Sequence, residues 1–138
     1  VEGWAQYATE MLLEAGFLNN SPGLRLTFLK EELRVVSNAI LDIRLHTLGM
    51  TDQQALDLMI KETFQETEEA TAKLRRAKLS SCQLPTYYVG WRDLVRVRDH
   101  YRRSKGADFR VAEFNQQALK AGAVPLPMLA RLLTGSSL

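Results

Sequence analysis

A chain of 138 residues with 46% hydrophobic and 25% charged residues has the length of one domain and the make-up of an ordinary globular protein. A net charge of +2 gives no global electrostatic case for nucleic acid or an anionic membrane. The single cysteine, Cys82, excludes an intrachain disulfide, and no apolar run approaches the ~20 residues of a membrane span.

In chain order, the first amphipathic pattern runs from about Glu2 to Ala15. It begins at once, with no capping residue before it, and so reads as a segment of a longer polypeptide. Signal-peptide features are absent, and in a segment this leaves the cellular address open. Asn19-Asn20-Ser21-Pro22-Gly23 is a loop. A second helix follows from about Leu24 to Leu48, with Leu29, Leu33, Val36, Ile40 and Ile43 at alternating steps of four and three. At ~100° per residue, Val35, Ala39, Leu41 and Leu48 lie off that stripe. The C-terminal half of the helix is apolar nearly all round, which predicts a central, buried position.

Asn38, Asp42 and His46, at i, i+4 and i+8, form one polar ridge on this helix. Buried polar groups need partners. The ridge reads either as a structural Asp42–His46 hydrogen bond tying helices together or as the wall of an active site. Arg44 sits apart, as an ion-pair partner. Thr51 opens a third helix, with Gln54 placed to complete a capping box. Its pattern continues to about Lys78, bent near Thr63-Phe64, and Ser80 to Pro85 is a break.

A fourth helix runs to about Arg103, a fifth from Asp108 to Ala121, and a sixth follows Pro125. Arg92, Arg96, Arg98, Arg102, Arg103 and Lys105 are balanced by Glu66, Glu68, Glu69, Asp93 and Asp99. They spread round the helix, as on a solvated, ion-paired face rather than a nucleic-acid surface. Gly90, inside a helix between Tyr88 and Trp91, costs ~1 kcal/mol relative to Ala. It predicts the close approach of another backbone or a ligand. No strand-like alternation occurs, so the expectation is an all-α bundle of about six helices over residues 1–138.

No local chemistry is self-contained. A catalytic zinc needs three protein ligands, and the only histidines, His46 and His100, lie far apart with no His-Glu pair. There is no phosphate loop and no nucleophile elbow.

Four segments nevertheless form a pattern: Val1-Glu2-Gly3-Trp4-Ala5-Gln6-Tyr7-Ala8-Thr9-Glu10-Met11, Asp42-Ile43-Arg44-Leu45-His46-Thr47-Leu48-Gly49-Met50-Thr51, Pro85-Thr86-Tyr87-Tyr88-Val89-Gly90, and Gly122-Ala123-Val124-Pro125-Leu126-Pro127. In this order they resemble the signatures of the bacterial domain-of-unknown-function family 885, whose members resemble helical zinc metallopeptidases of the glutamate-zincin kind. The resemblance implies that this is the C-terminal part of such a fold, with the His-Glu…His motif upstream, outside the chain. It implies zinc and a peptide substrate in the full-length parent, and a fragment that is inactive alone.

Glu2 would be the third zinc ligand and Tyr87 the donor to a developing oxyanion. His46 and Asp42 would form a substrate-facing or supporting pair, the Asp fixing the tautomer of the His. Thr9 departs from the family pattern, since relatives carry an acid there and this chain has Glu10 one position on. Read without the resemblance, Glu2 is a frayed, solvated carboxylate, Tyr87 a core tyrosine, and Trp4, Tyr7 and Trp91 are packing residues. The rival to a peptidase is a non-catalytic helical module that self-associates or binds a partner, the missing N-terminal part included, through an exposed apolar face.

Overall fold

In the computed structural model, residues 1–138 are described, the side chain of Asn20 excepted. The described residues form seven α-helices: α1 (Glu2–Glu14), α2 (Pro22–Thr47), α3 (Asp52–Asp57), α4 (Thr67–Leu79), α5 (Pro85–Lys105), α6 (Val111–Ala121) and α7 (Leu126–Thr134). No strand occurs among them, so the fold is all-α as expected. Local chemistry sets the boundaries. Ser21 accepts the Leu24 amide with Pro22 in the first turn of α2, and Pro85 opens α5. Thr51 and Gln54 make the predicted capping box at α3.

The predicted third helix is two helices, and this is why the count is seven. α3 widens into a π turn over Leu58–Glu62 and stops at Thr63, with Phe64 at φ +55°. A buried polar knot holds the break. Thr63 Oγ1 donates to the Met59 carbonyl, and Gln65 Nε2 donates to Ser37 Oγ on α2 and to Thr63 Oγ1. Lys73 Nζ on α4 donates to Gln65 Oε1 at 2.7 Å. Burial pulls the Lys73 ammonium below its ordinary range, with Arg34 adding to the effect and Glu69 opposing it. The apolar pattern runs unbroken across the gap because Leu58, Met59, Ala70, Leu74 and Ala77 all enter one cluster, with Leu41 and Leu84.

A second cluster joins α1, α5, α6 and α7 through Tyr7, Trp91, Leu94, Val97, Tyr101, Phe114, Ala118 and Leu129. The central position expected of α2 therefore falls to α5. Val35, Ser37, Ala39, Leu41 and Asp42 are the buried residues of α2. The regular stripe of Leu29, Leu33 and Ile43 lies exposed. The expected burial nearly all round α2 is therefore not found: periodicity shows which residues are apolar, not how much of the helix its neighbours cover. The arginine-bearing face of α5 is largely solvated, with Arg96 paired to Asp93. Arg98 is the exception: it is buried, lies over the Tyr7 ring and donates to Glu14 at 3.0 Å. Burial works against its charge, and Glu14, Tyr7 and Asp99 outweigh that, so its pKa is raised.

Candidate functional site

Helices α1 and α5 cross at their glycines. A Cβ placed on Gly3 would lie far inside van der Waals distance of the Gly90 carbonyl carbon and the Trp91 amide nitrogen. One placed on Gly90 would meet Gly3 Cα at 3.2 Å. The close approach predicted at Gly90 is thus to a backbone, that of α1. Side chains extend the union along both helices. Trp91 Nε1 donates to Glu10 at 2.7 Å, Arg98 holds Glu14, and Tyr7 OH donates to Asn115 on α6 at 2.8 Å. Burial pushes the Tyr7 phenol up, Arg98 partly opposing. Tyr7 and Trp91 are packing residues, as expected, and Glu10, beside the departing Thr9, serves Trp91. Thr9 Oγ1 donates to its own helix at Ala5.

This crossing holds Glu2 at the edge of an open cavity of about 860 Å³. The walls are mostly apolar, from Pro85, Val89, Leu94, Leu119, Val124 and Leu126, with Trp4 at one side. Of the three acids on α1, Glu10 and Glu14 are engaged, whereas Glu2, half-buried, makes no hydrogen bond or ion pair among the described residues. Its place in the first turn of α1 puts its charge where the helix dipole favours an anion.

Asp42 and Tyr87 lie elsewhere, tied to the loop between α4 and α5 through Cys82 and Gln83, and His46 is tied to the end of α4. Asp42 is 3% exposed, and its Oδ1 accepts the Cys82 amide at 3.1 Å. That amide belongs to a residue at φ +64°, so the carboxylate pins a turn that an L side chain adopts reluctantly. His46 Nε2 donates to the Ala77 carbonyl at 3.1 Å, in the last turn of α4, where carbonyls lack helical partners.

The expected Asp42–His46 pair is therefore not made. The two side chains tie α2 to different partners, and the tautomer of His46 is set by a backbone carbonyl rather than by Asp42. Asp42 Oδ2 and Asn38 Oδ1, one turn apart on the ridge, are buried without a hydrogen-bond partner. Arg44 makes no ion pair among the described residues, contrary to expectation.

Tyr87 is half-buried in the first turn of α5 and accepts from Gln83 Nε2 at 3.3 Å, while Arg76 donates to Gln83 Oε1 at 3.2 Å. The guanidinium polarises the amide, the amide occupies a lone pair of the phenol, and the phenolic proton stays available for another acceptor. Neither Arg76 nor Gln83 was visible from sequence. The four-residue step from Gln83 to Tyr87 spans the break before α5, where helical spacing carries no message.

The structure thus ties two of the four predicted residues, Asp42 and Tyr87, to one loop, places His46 at the end of the preceding helix, and leaves Glu2 beyond them. Cys82 borders both places, bonded to Asp42 through its amide and lining the cavity of Glu2. Asp42→Ala is expected to lower stability by about 1–2 kcal/mol, since the Cys82 amide loses its acceptor, and Asp42→Asn by less, since an amide oxygen can still accept. Urea melts of the two variants check this.

The donor set was tested against the zinc that the resemblance implies. Among the described residues no group of three or more His, Cys, Asp or Glu side chains could hold a metal ion. What fits is a single corner: a free carboxylate, fixed by a rigid crossing, opening on a cavity.

A profile of a family described as bacterial protein of unknown function, DUF885, matches residues 1–133. The chain belongs to the DUF885 family. The solved structure of "a putative lipoprotein of unknown function" from Shewanella oneidensis is similar to this DUF885 chain at 43% identity, with a TM-score of 0.91 over 96% of its residues. The DUF885 chain spans 24% of the length of that protein. No curated protein matches it. Among the described residues, no helix is long and apolar enough to cross a membrane.

Proposed function

We propose that residues 1–138 form the C-terminal wall of a zinc-dependent, peptidase-type hydrolase that works only as part of a longer polypeptide. One observation carries the reading: the α1 acid without a partner is the one that opens on the cavity, and the Gly3–Gly90 crossing fixes the helix that bears it. Zinc, when bound, supplies a Lewis acid that polarises a carbonyl and activates water. Glu2 would be one of its three protein donors, the two imidazoles coming from sequence outside this chain.

The remaining residues act on the peptide. Tyr87, its oxygen already engaged by Gln83, offers its proton to the oxygen on which negative charge develops. The Arg76–Gln83 pair orients the phenol and strengthens it as a donor. His46, with Nε2–H committed to Ala77, keeps Nδ1 as an acceptor for a substrate amide. Asp42 holds the turn on which Gln83 and Tyr87 depend. DUF885 membership and the ties of Asp42 and Tyr87 to one loop support the reading.

Metal analysis and peptide hydrolysis by the full-length protein test it. About one zinc per chain is expected, and Tyr87→Phe should lower kcat by about 100-fold, as loss of one oxyanion donor does, with zinc content and KM little changed. Unaltered kcat in that variant would remove Tyr87 from the site. A full-length protein that neither binds zinc nor cleaves peptides would end the reading.

A further inference from the structure

Helix α2 carries an apolar stripe that residues 1–138 leave largely uncovered. Leu26, Leu29, Leu33 and Ile43 are 69%, 53%, 41% and 51% exposed, with Val36 half-buried along the same line and Ile40, also half-buried there, touching the inner cluster. At about 100° per residue these six occupy an arc of about 100°, flanked by the buried Ala39 on one side and by Ser37 and Leu41 on the other, with Val35 and Asp42 on the far side, and extend about 26 Å along the axis. The inner face is narrow and built partly from small or polar groups, while the longer and more regular stripe faces outward. A contiguous apolar surface of this length marks an interaction site, and its steps of four and three are those of a helix-packing ridge.

Charge says what kind of helix fits. Arg25, Lys30 and Arg44 edge the stripe against the single acid Glu32, and none of the three cations is ion-paired among the described residues. A second copy is a poor match. An antiparallel two-fold pairing centred on the stripe puts Lys30 and Arg44 of both copies along one edge, with no acid between them, bringing like charges together. The similar Shewanella protein, of which this chain spans 24%, has three quarters of its length elsewhere. A segment on the same polypeptide docks at a high effective concentration.

We propose that the outward stripe of α2 seats an amphipathic helix of the same polypeptide, outside residues 1–138, whose apolar face is edged by acidic residues. This stands independently of the hydrolase reading.

The test uses the full-length protein. In a Cys82→Ser background, the thiol of Leu33→Cys should react with a maleimide on the order of 100-fold more slowly in the native state than in denaturant, at every protein concentration. Zero-length carbodiimide cross-linking of the unsubstituted protein, mixed with an isotope-labelled copy, needs no variant. It should join Lys30 to an Asp or Glu of its own polypeptide outside this region. Fast labelling of Leu33→Cys, protection that grows with concentration, a Lys30 link to a second copy, or no Lys30 link at all would each overturn the proposal.

Discussion

Gly3→Ala is expected to be among the most damaging single changes in this chain, lowering stability by about 4 kcal/mol or more and leaving little folded protein. The new Cβ would sit within the covalent envelope of the Gly90–Trp91 peptide bond. That neighbour is backbone inside a helix, with no rotamer to change, so relief requires α1 and α5 to separate. Separation would strain the Trp91–Glu10, Arg98–Glu14 and Tyr7–Asn115 hydrogen bonds and open the cluster around Tyr7, Trp91 and Phe114. Gly90→Ala differs in kind. Its Cβ would meet Gly3 Cα at 3.2 Å, a contact that a shift of a few tenths of an ångström relieves, and alanine returns about 1 kcal/mol of helix propensity. Denaturant titration of both variants should show a loss at Gly90 well below that at Gly3. Equal losses would mean that the crossing is less tight than described.

Sequence reasoning found this crossing from one side only. Gly90 stood out because a glycine inside a helix has a cost that needs a cause, whereas Gly3 lay near the start of a pattern, where glycine is unremarked. The same asymmetry runs through the rest of the molecule. Helix boundaries were legible wherever a cap or a proline supplied a local cause, as at Ser21-Pro22, Thr51–Gln54 and Pro85. The break at Thr63–Gln65 was read as a bend, because the contacts that force it come from Ser37 and Lys73, 28 and 8 residues away from Gln65.

Helix α2 gives the clearest case. Its C-terminal half reads as apolar nearly all round and hence as buried, but what this chain covers depends on α4 and α5, and Leu29, Leu33 and Ile43 stay exposed. At the candidate site, residue types were legible and partnerships were not. Spacing i, i+4 set Asp42 and His46 on one ridge and suggested that they bond to each other. In the structure each is drawn to a backbone group of a different element, Cys82 and Ala77, because unpaired amides and terminal carbonyls offer better partners than a side chain one turn away.

Glu2→Gln in the full-length protein should separate a ligand from a bystander. The amide keeps the shape and helix position of the carboxylate while removing its charge, and neutral oxygen is a poor donor to a divalent ion. Zinc content is expected to fall by at least the 10–100-fold that loss of even an outer supporting partner costs. Hydrolysis should drop by about 1,000-fold, the rate equivalent of several kcal/mol of lost charge stabilisation. The stability of the metal-free protein should barely move, since only the zinc-loaded form loses the stabilisation that bound metal supplies. Glu2 gives up no hydrogen bond or ion pair among the described residues, and its favourable place in the first turn of α1 is worth only about 0.3–1 kcal/mol.

Glu10→Ala, two helical turns along, supplies the opposite control. It leaves the buried Trp91 Nε1–H without its acceptor and should cost about 1–3 kcal/mol of stability with zinc content intact. A Glu2→Gln protein that kept both its metal and its rate would make this carboxylate an ordinary helix-terminal charge. A variant whose metal-free form lost stability as well would mean that Glu2 has a structural partner in the longer polypeptide, and the zinc lost per folded protein would then measure its share in binding the ion.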